Sequence, residues 1–204
     1  MRAVSINVYE FDELSSEVQK KVIDRYRDAY VDIEDAMNIE FINYVGDLDF
    51  TLSYSLSCCQ GDGVSFTGMA EGKEEVLKLA NLVYGGEVPK KILSLINSDI
   101  IYKVEFNRIS SHYVHKYTVA TKVIVDGDYL LIAEDFKVAI THWYSDICDA
   151  LETYGYSTID TMRSDDYVRE GIIANYLEFT ENGDDFRCYG WYHWTYDESK
   201  KHLQ

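Results

Sequence analysis

Gln60-Gly61-Asp62-Gly63 directly follows two adjacent cysteines, Cys58 and Cys59. Two glycines flanking an aspartate permit positive φ, and a turn whose backbone N–H groups point outward offers a concave site for an anion or a peptide. The same four residues also make an ordinary hairpin turn, because Gly and Asp are turn formers. His112 and His115 stand three apart in a stretch that reads as a strand, so they project to opposite faces and do not share a metal ion. His142, His193 and His202 have no cysteine or acid at ligand spacing. The acid-rich turns at 46–49, 126–128 and 182–185 lack the oxygen register of a calcium loop. No metal and no cofactor is expected. The sequence contains no nucleophile elbow, HExxH pair, phosphate-binding P-loop or dinucleotide fingerprint. An active site would have to be assembled from dispersed residues.

The remaining candidates are partner-binding residues. Residues 189–196 form the densest aromatic run, with Trp191 and Trp194 as anchors of the kind that dominate protein interfaces. Read as a plain strand, the run places Trp191 on one face and Tyr192 and Trp194 on the other. Asp146, Asp149 and Glu152 lie on one expected helix, and Asp165, Asp166 and Glu170 on the next. Six such carboxylates could imitate nucleic-acid phosphates and compete for a basic groove; charge runs of this kind also form simple solvated faces. Gln60 and Asp62 complete the set.

The charge balance favours a basic partner. The chain has 204 residues, 36 acids against 19 bases, and a net charge of −17. Such a surface repels duplex DNA and anionic membranes. The excess lies in two blocks, residues 1–50 and 134–187, around a nearly neutral middle. No run of residues has the length and apolarity of a membrane span or a secretory leader. Four cysteines without a C-x-x-C pair read as reduced thiols, which points to the cytoplasm as the expected location.

The elements that would carry these residues follow from hydrophobic period. Residues 4–9 alternate as a strand. Leu14, Val18, Val22, Tyr26 and Tyr30 recur every four residues, the stripe of an amphipathic helix capped by Ser15 or Ser16. A second helix covers residues 33–45 and ends at Gly46. Residues 50–58 and 64–66 alternate as strands around the glycine turn. Helices follow at 73–84 and from Pro89 to about residue 97. Residues 100–109 and 113–125 read as a long hairpin turning at Ser110-Ser111. A helix then runs over 134–154, and Ser164 caps a shorter one through Ala174. Residues 176–179 and 186–191 form a last hairpin about Asn182-Gly183. The expected fold is a single α+β domain spanning 1–204, a mainly antiparallel sheet with helices packed on one face.

Three segments carry a resemblance: Tyr9-Glu10-Phe11-Asp12-Glu13-Leu14-Ser15 with Tyr26-Arg27-Asp28; Ser57-Cys58-Cys59-Gln60-Gly61-Asp62-Gly63-Val64-Ser65-Phe66; and Ser164-Asp165-Asp166 followed by Ile172-Ile173-Ala174-Asn175-Tyr176-Leu177-Glu178-Phe179-Thr180-Glu181-Asn182-Gly183. In this order they resemble a family of small acidic proteins encoded by phages and prophages, sometimes loosely called antitoxins. The resemblance implies no catalytic residues. It implies a phage setting, in which small acidic proteins inhibit host defence systems. The expected function is a non-enzymatic binding protein that inhibits a basic host defence or nucleic-acid-handling protein, in the manner of an anti-CRISPR. RNA-guided effectors suit this, because their guide and target channels are basic. The alternatives are an antitoxin-like or regulatory protein that neutralises a basic toxin or nuclease, and an enzyme with a dispersed site.

Overall fold

The computed structural model of the chain describes residues 5–57 and 59–186. Its class is α+β with antiparallel sheets, as the periodicities indicate. The chain divides into two compact units, residues 1–31 with 159–204, and residues 32–158.

The first unit is built on two short amphipathic helices, α1 (Ser16–Tyr26) and α6 (Asp165–Ala174), which pack together. Their starts are fixed by serines. Ser15 Oγ accepts from the Val18 N–H, and Ser164 Oγ accepts from the Tyr167 N–H, so each satisfies an orphan donor of a first turn. The four-residue stripe on α1 turns inward. Leu14, Val22 and Ile23 are buried with Phe11, Val168, Ile172 and Phe179, and Val18, Tyr26 and Tyr30 close the cluster. Strands β1 (Tyr9–Glu10) and β6 (Glu178–Phe179) pair antiparallel beside it. Gly183, at φ +83°, lies so close to α1 that a Cβ there would stand 2.6 Å from Val18 Cγ1. The turn can therefore dock only as glycine.

The second unit carries a four-stranded antiparallel sheet in the order β2-β3-β4-β5. The strands are β2 (Phe50–Ser55), β3 (Gly63–Glu71), β4 (Ile101–Arg108) and β5 (Val119–Val125). Registers Phe50↔Gly68 and Gly68↔Phe106 put Phe50, Phe66 and Phe106 on one face, where all three are buried. The other face carries Thr51, Met69, Glu71, Asn107 and Lys122, all exposed. Helix α2 (Glu34–Val45) lies against β2, α3 (Gly72–Val83) against β3 and β4, and α4 (Lys90–Asn97) against α3 and β4. Helix α5 (Leu130–Met162) adds Trp143 and Tyr144 to the phenylalanine cluster. The Tyr144 hydroxyl accepts from the Phe66 N–H at 3.1 Å and donates to the Phe66 carbonyl at 3.2 Å, clamping α5 to the middle of β3. Burial pushes this phenol far above its usual range, so it stays protonated as a donor.

Four expectations are corrected. Residues 5–8 are not strand, because β6 offers only two residues for pairing. Strand β2 ends at Ser55, where the loop around Asp62 begins. The long hairpin turns not at Ser110-Ser111 but through residues 109–118, since the second half of that stretch docks elsewhere. Helix α5 starts earlier and runs on through Gly155, where the expected helix had stopped. A Cβ at Gly155 would lie 2.3 Å from Leu56 Cδ1 and 3.1 Å from Met37 Sδ, so this glycine is a packing requirement within the helix, not a terminator. The last hairpin is seen as far as Phe186, whose N–H donates to the Glu178 carbonyl. Trp191 and Trp194 lie outside the described residues.

Candidate functional site

Asp62 organises the glycine turn. Its carboxylate accepts from Ser55 Oγ at 2.6 Å, from the Ser57 N–H at 2.8 Å and from the Cys59 N–H at 2.6 Å, with Ser57 Oγ also in reach. The Ser55 hydroxyl and these backbone donors hold its pKa down to about 2. Asp62 thus folds the loop back on the end of β2, and its oxygens are engaged inside the loop.

Gly61 and Gly63 leave space for a second segment. Gly61, at φ +93°, lies flat against the Tyr113 ring; a Cβ there would stand 2.0 Å from Tyr113 Cδ1. The Gly61 carbonyl accepts from the Val114 N–H. A Cβ at Gly63 would meet His115 Cβ at 2.9 Å and Glu152 Oε2 at 3.3 Å. This docking draws residues 113–118 out of the expected strand. The segment then tightens into a 3-10 turn, Lys116–Thr118, which His115 caps by accepting the Tyr117 N–H on Nδ1. The result is a row of rings. Tyr113 lies parallel to His115 at 6.1 Å between centroids, and His115 meets Tyr117 edge-on at 5.8 Å. Arg108 steadies the row by donating to the Tyr113 carbonyl and to Ser65 Oγ.

Helix α5 supplies the third wall. Asp149 binds the Lys116 ammonium, and this contact raises the lysine pKa. One turn further on, Glu152 is half-buried and has no hydrogen-bond or ion-pair partner among the described residues. Together Gln60, Gly61, Asp62, Tyr113, His115, Lys116, Tyr117 and Glu152 line a cavity of about 320 Å3. Small-molecule sites run from about 300 to 1,000 Å3, so this one suits a single long side chain or a fragment.

The structure brings together Gln60, Asp62, Asp149 and Glu152 of the sequence-derived set, from segments about 90 residues apart. Asp146 lies one turn before Asp149 on the same helix, exposed. Asp165, Asp166 and Glu170 belong to the other unit, on α6. There Asp165 is engaged by Arg27 at 2.7 Å, whereas Asp166 and Glu170 are exposed. Sequence reasoning missed Tyr113, Lys116 and Tyr117 and gave His115 only a metal test. The overlooked signal was a ring at every second position, 113, 115 and 117, ending in a tyrosine that is 76% exposed.

Among the described residues no group of His, Cys, Asp or Glu side chains gathers as a metal site, and no helix is long and apolar enough to cross a membrane. Cys59 is exposed and Cys148 buried, both free, with burial pushing the Cys148 thiol up to about 12; Cys58 and Cys188 lie outside the described residues. No protein-family model, no curated protein and no solved structure matches the chain.

Proposed function

We propose that the chain is a binding protein without catalytic activity, whose target is a basic protein. The observation that carries this reading is the cavity whose wall Glu152 of α5 forms beside exposed Tyr113 and Tyr117, with Asp149 and exposed Asp146 on the preceding turns of the same helix. Carboxylates next to exposed aromatic rings suit a cationic surface, by charge attraction at long range and ring contact at short range. The other ionisable groups there serve the loop itself: Asp62 closes the turn, His115 caps the 3-10 turn and Lys116 is held by Asp149. The unit that carries this edge has 20 acids against 9 bases. In the phage setting that the resemblance implies, the target would be a host defence effector or a nuclease. The acidic helix faces would then occupy a groove that otherwise takes nucleic acid.

The test is affinity capture from bacterial lysate at low and high salt, with elution by short duplex DNA and identification of the released proteins. The expected result is a nucleic-acid-handling protein that DNA displaces and that added salt weakens steeply. Retention of no basic protein at low salt, or retention indifferent to both salt and DNA, would overturn the proposal.

A further inference from the structure

We propose that the cavity beside the glycine turn is a receptor for one arginine side chain of that basic partner, an inference that rests on the reading above. Three features combine. The first is the Glu152 carboxylate, half-buried at the cavity wall and without a hydrogen-bond or ion-pair partner among the described residues. It stands against Gly63, where the missing side chain leaves its Oε2 room. The second is the ring row. Tyr113 covers Gly61 yet is 48% exposed, and Tyr117 is 76% exposed. The Tyr117 ring already takes one cation, the Lys116 ammonium 5.3 Å from its centroid, and guanidinium stacks on such rings better than ammonium does. The third is size, about 320 Å3, enough for one extended side chain.

The neighbouring cations have acceptors of their own. Lys116 already has Asp149 as its counter-ion, and Arg108 is held on the Tyr113 carbonyl and Ser65. Asp62 keeps its charge but has its oxygens engaged within the loop, so Glu152 is the acceptor left for the incoming group. Arginine is favoured over lysine because a planar fork can bind a carboxylate with two N–H groups while lying against a ring.

The experiment is an amide and aromatic NMR titration of the full chain with N-acetyl-arginine methylamide, its lysine counterpart and its citrulline counterpart. Saturable shifts are expected at Gly61, Glu152 and Tyr117 with the arginine probe, with weaker binding of lysine and none of citrulline. Glu152→Gln should weaken the arginine probe about tenfold, the usual size of a charge-assisted hydrogen bond. Tyr117→Ala alters an exposed ring, leaves the fold intact and should weaken the probe about threefold. Equal binding of citrulline, shifts confined to other residues, or undiminished binding by the glutamine variant would overturn the inference. If the probe failed while the salt-sensitive complex with a basic protein still formed, only the arginine receptor would fall. If the probe bound as expected and no basic protein did, the functional reading would fall instead.

Discussion

The two units treat their acids differently. In the first, arginines tie acids across elements, Arg25 to Asp185, Arg27 to Asp165, Arg163 to Asp28 and Arg169 to Asp12, and Arg27 also holds Asp24 at the end of its own helix. In the second, Arg108 is the single arginine and forms no ion pair among the described residues; the pairs are made by lysines. An arginine can hold two acceptors in fixed directions, as Arg27 does, whereas lysine is a point charge. Part of the acidity in the first unit is thus paired with arginines that join its elements. In the second, lysines pair six acids, while Glu152 and Asp146 are unpaired among the described residues. Arginine pairs therefore join elements of one unit, while an unpaired Glu152 stands at the cavity wall of the other.

The largest effect expected from breaking this arrangement lies beneath the ion pairs. Val22 is 1% exposed at the centre of the α1–α6 cluster. Val22→Asp buries a charge without a partner and should destabilise by at least about 3 kcal/mol. Urea unfolding followed by circular dichroism measures it, and an unchanged midpoint would mean that the apolar cluster does not hold the first unit.

Gly61→Ala should come next. It combines a left-handed backbone with a clash against the Tyr113 ring. A cost of about 2 kcal/mol is expected, the range of a strained position. Loss of the Tyr113 ring shifts should accompany it, because the 113–118 segment would undock. A variant with normal stability and unaltered ring shifts would show that the cavity does not depend on this contact.

Smaller effects separate the two kinds of acid. Arg27→Met should lower the melting temperature slightly at low salt, with the difference vanishing at high salt, since its pairs are partly exposed. Asp166→Asn with Glu170→Gln, which removes no ion pair among the described residues, should leave the melting temperature unchanged. If both variants behaved alike, the arginine ties would have no structural role.

The smallest effect is local and depends on pH. The folded-state pKa of Asp62 is lowered from 3.8 to about 2. Its contribution is therefore fully present above about pH 4 and lost as pH falls through about 2. The Cys59 and Ser57 amide shifts should move in that window, and Asp62→Asn should abolish the change.

The fold was legible where one period or one cap decides the outcome. The Leu14, Val18, Val22 stripe and the Ser15 and Ser164 caps depend on neighbours a turn away, and so does the alternation of β2. What could not be read depends on distant partners. Gly155 looks like a helix terminator until Leu56 and Met37 are seen against it. Residues 113–118 alternate like a strand, yet Gly61 and Gly63 draw them into a docked turn. The site was half legible for the same reason. Gln60 and Asp62 announce a turn, and Asp149 and Glu152 an acidic face, but only folding places them round one cavity with the tyrosines. Asp165, grouped by charge with the others, turns out to be a tie to Arg27.

The central claim, that the unpaired acids near the cavity of the second unit are open to a cationic partner while Asp24, Asp28 and Asp165 are held by arginines of their own unit, has a direct measurement. The 15N-labelled protein is titrated with an oligo-arginine peptide at low salt, and amide shifts are mapped along the chain. The account predicts saturable shifts at Gly61, Asp146, Asp149 and Glu152, with little change at Asp24, Asp28 and Asp165. Shifts concentrated at those last three, or spread evenly over every acid, would contradict it.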